Sequence, residues 1–530
     1  MTKQTIQSLF CAFLILAGCG VASIANAQIS EKEAIASFVT SDSTAFNTPY
    51  KPNAHQGAQW YPKAGLGMFL HWGIHSVAQM EPSWCMADNR FAARYPRSIT
   101  PENYYKLSEQ FNPQNYDPDQ WMEFAKSLGM TYVVLTAKHH DGYCLWPTKY
   151  GEYNVANVEG GRDLVKEYVD AAHRHGLKVG LYFSPRDWAF NDHKSGFGMT
   201  VQKFDMANPK KLEWSQEENE ALYYKWLDYT VGQLSELLTN YGQIDLLWFD
   251  GAHWLGAPST ANADGLRIRN WIYSLQPQIL INPRWGGKNI DPDYKGKTVA
   301  KTLQKMSRAV GDFYTYEVHF DSIDQEHNDG VKEPAWFEYC DKWIGHWGYL
   351  PPKAGDDKKL QKKQQEVVYK LSVLRAFGGN YLINVGPDGD GQFRPDVVAA
   401  AAELSPWMLK HQSALVDVDP VKNWEDISSV PLTQKGTFIY AHCTAWKKAQ
   451  EREVVLSLPH KPKSATIVES GVEIQGTYES GIYRFTLAPE TYSKYGVVVQ
   501  FDMGHAVNCA AFAQLPDSLT SSQSDQTISH

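Results

Sequence analysis

Cysteine is scarce in this sequence, with seven among 530 residues and no C-x-x-C pair. That excludes a disulfide-stapled scaffold and the usual ligand spacing of a structural zinc site. Positive charge is short as well: 50 Lys and Arg stand against 59 Asp and Glu, a net charge of −9. Without a basic face to neutralise phosphates, neither nucleic acid nor an anionic membrane surface is expected as a partner. Pieces such as Lys358-Lys359 and Lys362-Lys363 read as solvated helix surface. There are no internal repeats. The glycine-rich run Gly386-Pro387-Asp388-Gly389-Asp390-Gly391 lacks the Lys-Ser/Thr ending of a phosphate-binding loop, so it reads as a tight turn. The apolar stretch from Leu9 to Ala17 is too short to span a bilayer permanently, and no integral membrane span is expected.

That stretch follows Lys3 and precedes Ala25-Asn26-Ala27, the form of an export signal over residues 1–27 cut before Gln28. The reading places the chain in the periplasm or outside the cell. A competing reading takes Leu16-Ala17-Gly18-Cys19 as a bacterial lipobox, with a lipid anchor at Cys19.

Aromatic residues, by contrast, are plentiful: 18 Trp, 29 Tyr and 22 Phe. Flat rings with a polar edge suit the C–H faces of sugars, although a large core accounts for part of the surplus. The length exceeds a single small core and fits a large domain plus an accessory one.

From about residue 60 to 410, apolar β-branched runs alternate with segments of helical period, the sequence form of a parallel α/β sheet. Strands are predicted at residues 66–71, 132–138, 178–183, 244–249, 279–282, 312–317 and 380–384. Helices are predicted at about 217–240, where Leu222, Trp226, Tyr229, Gln233 and Leu237 recur at steps of three and four, and at 163–175, closed by Gly176. After about residue 415 short strands separated by turns indicate a small β-sandwich. The expected division is a (β/α)₈-like catalytic domain over 28–414, a β-sandwich over 415–503, and a tail over 504–530 without the periodicity to pack.

Polar residues gather at the C-terminal ends of the predicted strands: His71, His139 with His140, Ser184, Asp250, Arg284, Glu317 and Asn384. In a (β/α)₈ barrel those ends converge on one face, which holds the active site. Asp250 closes the apolar run Leu246-Leu247-Trp248-Phe249 and precedes Gly251, so its carboxylate is poised at the end of a strand. Helix N-capping is the competing reading. Asp245 lies at the opposite end of the strand and is read as structural. Hydrolysis of a glycosidic bond with retention needs a second carboxyl roughly 5 Å from the first. Glu317, at a strand end, is the better candidate for general acid/base, with Glu338 the other. The histidines and Asp141 also admit a metal reading, but on an extended strand His139 and His140 point to opposite sides, so both serve one site only if the chain turns there. Arg284 offers a rigid fork of donors for a hydroxyl or carboxylate, or an ion pair holding a loop. Trp72, Trp84, Trp248 and Trp347 are candidate ring platforms.

Four stretches, Phe69-Leu70-His71-Trp72-Gly73, Thr136 to Pro147 around His139-His140-Asp141-Gly142, Leu247-Trp248-Phe249-Asp250-Gly251 and Asn380 to Pro387, resemble in order and spacing the α-L-fucosidase family of retaining glycoside hydrolases across residues 55–410. The resemblance implies a (β/α)₈-like barrel followed by a β-sandwich, no metal or organic cofactor, and an oligosaccharide or polysaccharide substrate. It implies an exo-acting enzyme that removes terminal α-L-fucosyl residues through a covalent glycosyl-enzyme intermediate. By motif, Asp250 matches the nucleophile and Glu317 the acid/base of some members. His71, His139, His140, Trp248 and Arg284 match residues lining the fucose pocket, and Trp347 an aromatic beneath the sugar's methyl group. Three departures stand out. Relatives with adjacent Glu-Trp contrast with Glu81-Pro82-Ser83-Trp84 here, where Trp84 aligns but the carboxylate is Ser83 or displaced to Glu81. Pro283 precedes Arg284, and Lys410-His411-Gln412-Ser413-Ala414 follows Trp407 in place of the family's usual run. The first leaves an α-L-galactosidase, or a fucosidase acting on modified, sulfated sugars, as the alternative substrate reading. A non-catalytic sugar-binding protein is the alternative of another class.

Overall fold

The computed structural model describes residues 29–42, 52–86, 99–158, 160–190, 215–251, 261–285, 311–317, 320, 336–444, 452–507 and 512–515. The stretch 1–27 expected to be an export signal, with Cys19, lies outside them. Among the described residues no helix is long and apolar enough to cross a membrane.

Eight parallel strands form a barrel: β1 Leu66–Leu70, β2 Tyr132–Lys138, β3 Lys178–Phe183, β4 Leu246–Phe249, β5 Leu280–Ile281, β6 Phe313–Tyr316, β7 Trp336–Lys342 and β8 Asn380–Asn384. Their order is β5-β4-β3-β2-β1-β8-β7-β6, so the ladder is continuous except between β5 and β6. A side chain bridges that seam. Asp312 Oδ2 accepts the Ile281 N–H at 2.8 Å while the Asp312 N–H donates to the Ile281 carbonyl at 2.7 Å, and the Tyr273 hydroxyl donates to the same Oδ2 at 2.7 Å.

Seven strands fall where the sequence places them. The eighth, β7, was not anticipated, because Trp336-Phe337-Glu338-Tyr339-Cys340-Asp341-Lys342 carries a glutamate on the face turned into the barrel. Side-chain alternation sorts the residues of each strand. On β4, Leu246 and Trp248 join the barrel interior with Phe69, Tyr182, Phe313 and Cys340, while Leu247 and Phe249 pack outward against the helical layer. Asp250 follows in the inward phase.

The outer layer includes helices at Leu164–Arg174 and Gln216–Thr239. Asp163 caps the first, accepting from the Lys166 N–H at 2.9 Å, and Gly176 ends it in the left-handed region. Asp245 holds the bottom of β4, accepting from Lys178 Nζ and the Val179 N–H, each at 2.9 Å. The run from Gly386 to Gly391 is a turn closed on the Asp388 carboxylate, which takes the N–H groups of Asp390 and Gln392.

Residues 419–502 form two antiparallel sheets of five and three strands around a separate apolar core that includes Val454, Leu456, Phe485, Val497 and Phe501. The tail expected over 504–530 departs from that reading at 512–515: Leu515 is buried and donates to the Asp426 carbonyl at 2.8 Å, and Phe512 packs on the same core.

Candidate active site

The C-terminal strand ends surround a pocket with about 350 Å³ of empty space, part of it open to solvent, lined by Phe69, His71, Pro82, Trp84, His139, Tyr182, Trp248, Asp250, Arg284, Glu317, Cys340 and Trp347. Asp250, Glu317, His71, Trp84, His139, Trp248, Arg284 and Trp347, all named from the sequence, line it, and His140 stands just behind. Its Nε2 is 3.7 Å from Asp250 Oδ2.

The two histidines after β2 share the site because of a bulge. β2 pairs with β3 through Thr136 opposite Tyr182 and then Lys138 opposite Phe183, leaving Ala137 unmatched. The extra residue shifts the alternation by one, so Lys138 points outward and His139 inward. Lys138 is buried between barrel and helix, donating to Asp187 at 3.0 Å and Gln233 at 2.8 Å. The chain then turns, with the Gly142 N–H donating to the His139 carbonyl, and the rings of His139 and His140 lie 4.3 Å apart.

Burial keeps these imidazoles neutral: His71 is pushed down to about 4, His140 to about 3, and His139 well below its ordinary value. Their outer nitrogens are fixed by residues behind the pocket. Asn384 Oδ1 can only accept, so His71 Nδ1, 2.7 Å away, carries the proton and Nε2 presents a lone pair. Ser184 gives its single hydrogen to the Arg186 carbonyl at 2.6 Å, so it takes the proton of His140 Nδ1 at 2.7 Å. Ser83 Oγ stands 2.6 Å from His139 Nδ1. Ser184 and Asn384, both strand-end residues in the sequence, therefore orient the histidines from behind. A neutral ring nitrogen of this kind receives a sugar hydroxyl without a charge penalty.

Arg284 joins the two carboxylates. Its Nη1 lies 3.4 Å from Asp250 Oδ1 and 2.9 Å from Glu317 Oε2, and its Nε donates to Thr315 at 2.7 Å. The guanidinium rests 4.6 Å from the centre of the Trp248 ring. Because both contacts are made by one nitrogen, Asp250 Oδ1 and Glu317 Oε2 lie no more than about 6 Å apart. Burial would raise the Asp250 carboxyl, but Arg284 and Arg186 outweigh it and hold the group below its ordinary value. It is thus ionised at neutral pH. Tyr182 donates to its Oδ2 at 3.2 Å. With that partner and Arg284, Asp250 is held as a site carboxylate; the backbone N–H groups after Gly251 that a helix cap would accept from lie outside the described residues.

Glu338 is elsewhere. It lies fully buried inside the barrel on β7, taking the Trp248 indole N–H at 2.6 Å and the Tyr132 hydroxyl at 3.0 Å. Trp72 is likewise a core residue, packed against Phe111, Tyr116 and Trp121. Trp84 stands edge-on to His140, and Trp347 lies against His71 at 4.9 Å. In the departing segment, Ser83 is buried behind His139, while Glu81 turns away from the cavity to accept the Trp347 N–H at 3.0 Å. The segment therefore brings Pro82 and Trp84 to the pocket wall, without a carboxylate. Among the described residues no cluster of three or more His, Cys, Asp or Glu is placed to hold a metal ion.

Sequence reasoning missed Tyr182, Arg186 and Cys340. Tyr182 had a signal: it shares the inward phase of Ser184 two residues on, and pairs across the ladder with Trp248. Arg186, buried with its Nε on the Gly251 carbonyl, follows the strand end in a loop with no period to read. Cys340 was hidden with β7.

Two carboxylates bridged by an arginine in an aromatic-walled cavity at the open end of a nearly closed parallel barrel define a glycoside hydrolase. The comparisons narrow the class. Residues 35–413 match the family model for alpha-L-fucosidase. The human tissue alpha-L-fucosidase is 27% identical over 445 residues, covering 79% of this chain and 81% of the relative. The alpha-L-fucosidase isoenzyme 1 of Paenibacillus thiaminolyticus superposes with a TM-score of 0.64 at 27% identity, covering 86% of this chain and 99% of that one. A GH29 alpha-L-fucosidase of Bacteroides thetaiotaomicron, trapped as a covalent intermediate with 2-fluoro-fucosyl fluoride, shares the fold with a TM-score of 0.66 at 23% identity, covering 86% and 98%. The chain belongs to the α-L-fucosidase family.

Proposed function

We propose that this enzyme is an exo-acting, retaining α-L-fucosidase that releases terminal α-L-fucosyl residues from glycans. The observation that carries the reading is the single nitrogen of Arg284 shared by Asp250 and Glu317, which keeps the two carboxylates within displacement distance of one anomeric centre. Asp250, ionised and partnered by Tyr182, attacks the anomeric carbon. As the glycosidic bond breaks, Glu317 gives a proton to the departing oxygen. In the second step Glu317 takes a proton from water, whose oxygen displaces Asp250 and regenerates the carboxylate. Arg284 stays charged throughout, stabilising whichever carboxylate is anionic.

The cavity fits a single ring, which supports action at a chain end. His71 and His139 face it as neutral hydrogen-bonding groups, with His140 behind them beside Asp250. Phe69, Cys340 and Trp347 add an apolar stretch of wall, favouring a methyl over a hydroxymethyl substituent. The export signal supports action in the periplasm or outside the cell.

Rates with an aryl α-L-fucoside and its L-galacto analogue test the proposal. Release from the fucoside at least tenfold faster is expected; faster release from the analogue makes L-galactose the substrate, and release from neither overturns the enzymatic reading.

A further inference from the structure

Glu338 is a charged group in an expensive place. It is fully buried in the barrel interior, on the face that carries Phe69, Tyr132, Phe313 and Cys340, and among the described residues its hydrogen-bond partners are the uncharged Trp248 and Tyr132. A buried carboxyl costs stability unless each oxygen has a donor. Both do: Oε1 takes the Trp248 N–H and Oε2 the Tyr132 hydroxyl.

The indole N–H is a donor only, so Trp248 can hold this orientation inside an apolar barrel only if an acceptor waits at that point. The ring it fixes is a platform. Tyr182 stacks against Trp248 with centroids 5.5 Å apart and planes 16° apart, and the Arg284 guanidinium rests on it at 4.6 Å. Tyr182 and Arg284 are in turn two of the groups that bond Asp250.

We propose that Glu338 is a positioning residue for the reaction: by accepting the indole N–H at the edge of the Trp248 ring, it sets the plane against which Tyr182 and Arg284 are held and so their distances from Asp250. The inference rests on the reading of Asp250 as nucleophile. It assigns Glu338 no proton transfer to substrate. Burial pushes Glu338 up to about 7, with the Trp248 and Tyr132 hydrogen bonds opposing. The uncharged form keeps an acceptor for the indole, so positioning does not depend on ionisation.

The readout is the ionisation of Asp250, which Arg284 and Arg186 hold low and which Tyr182 and His140 also face. The Asp250 carboxyl is followed by 13C NMR against pH in the full-length protein, beside kcat and KM for an aryl α-L-fucoside. In Glu338→Leu the Asp250 titration is expected to move to higher pH, with kcat falling at least tenfold and KM changing less than threefold. Glu338→Gln, whose amide oxygen still accepts the indole, stays within about threefold of wild type in kcat. Trp248→Phe, which removes the N–H and keeps a ring, moves the titration in the same direction as Glu338→Leu, and adding Glu338→Gln to it changes nothing more. These two near-isosteric variants carry the test if the leucine variant does not fold. An Asp250 titration unmoved in Trp248→Phe, or moved as far in Glu338→Gln, overturns the inference. So does recovery of a Glu338 variant by azide, which would make Glu338 the acid/base. Loss of turnover in the wild type would sink the nucleophile reading alone, since the carboxyl titration reports the geometry without it.

Discussion

His71 donates from Nδ1 to the side-chain oxygen of Asn384 at 2.7 Å, and the same oxygen takes the His71 backbone N–H at 3.1 Å. The amide thereby fixes both the tautomer and the angle of the ring. Asn384→Asp replaces a neutral acceptor by a carboxylate that favours the cationic ring. His71 now sits at about 4 because burial lowers it, so it is neutral at any working pH. The variant raises that value, and the cation, lacking a lone pair for a sugar hydroxyl, persists to higher pH. kcat/KM is expected to fall about tenfold to a hundredfold near pH 5 and to recover as the pH rises. A uniform loss at all pH values would point to displacement of the ring.

His411 and His442 sit where the last barrel helix meets the antiparallel sheets, both fully buried. His411 donates to the Trp407 carbonyl at 2.8 Å, and His442 contacts Thr433 at 2.9 Å. Burial pushes them down to about 4 and about 3. A depressed value favours the folded state above the unfolded value of about 6.5 and loses that advantage as pH falls toward the folded one. The thermal midpoint should therefore drop between about pH 6.5 and 4, and His411→Gln with His442→Gln should flatten the drop. Scanning calorimetry across that window measures it; an unchanged slope contradicts the assignment.

Arg375 is completely buried and spends its donors on the carbonyls of Pro62, Gly379, Leu415 and Val418 and on Asn380. It ties β8 to the chain leaving the barrel. Arg375→Met leaves these acceptors without partners, at a cost of about 1–3 kcal/mol each where water cannot replace the donor. A thermal midpoint lower by ten degrees or more is expected. Arg375→Lys should recover only part of it, because an ammonium cannot reach so many acceptors in one plane.

Much of this site was legible because strand period is a strict code. Alternation put Trp248 and Asp250 on one side of β4, and turn chemistry marked the end of the helix at Gly176. The code failed where the chain broke its own phase. The bulge at Ala137 reversed the parity of His139, and only the ladder with β3 reveals it. It failed again at β7, where Glu338 faces the barrel interior and its partners Trp248 and Tyr132 lie 90 and 206 residues away. Roles that depend on a residue behind the pocket, such as those of Ser184 and Asn384, could be placed at strand ends but not told apart from residues that face the sugar.

Glu317 and Glu338, both nominated from sequence, separate in space, and their variants should separate in kinetics. Glu317→Ala is expected to lose activity on substrates with poor leaving groups by 10²-fold or more, and to recover with azide on an activated aryl α-L-fucoside. Glu338→Ala should show no azide recovery.

The central claim is that Asp250 forms a covalent bond to the sugar. Incubation with 2-fluoro-fucosyl fluoride, followed by proteolysis and mass mapping, tests it most directly. The expected result is one fluorofucosyl increment on the peptide containing Asp250, absent in Asp250→Ala. An increment on a peptide holding Glu317 or Glu338, or turnover of the reagent with no adduct in wild type and full activity in Asp250→Ala, would contradict it.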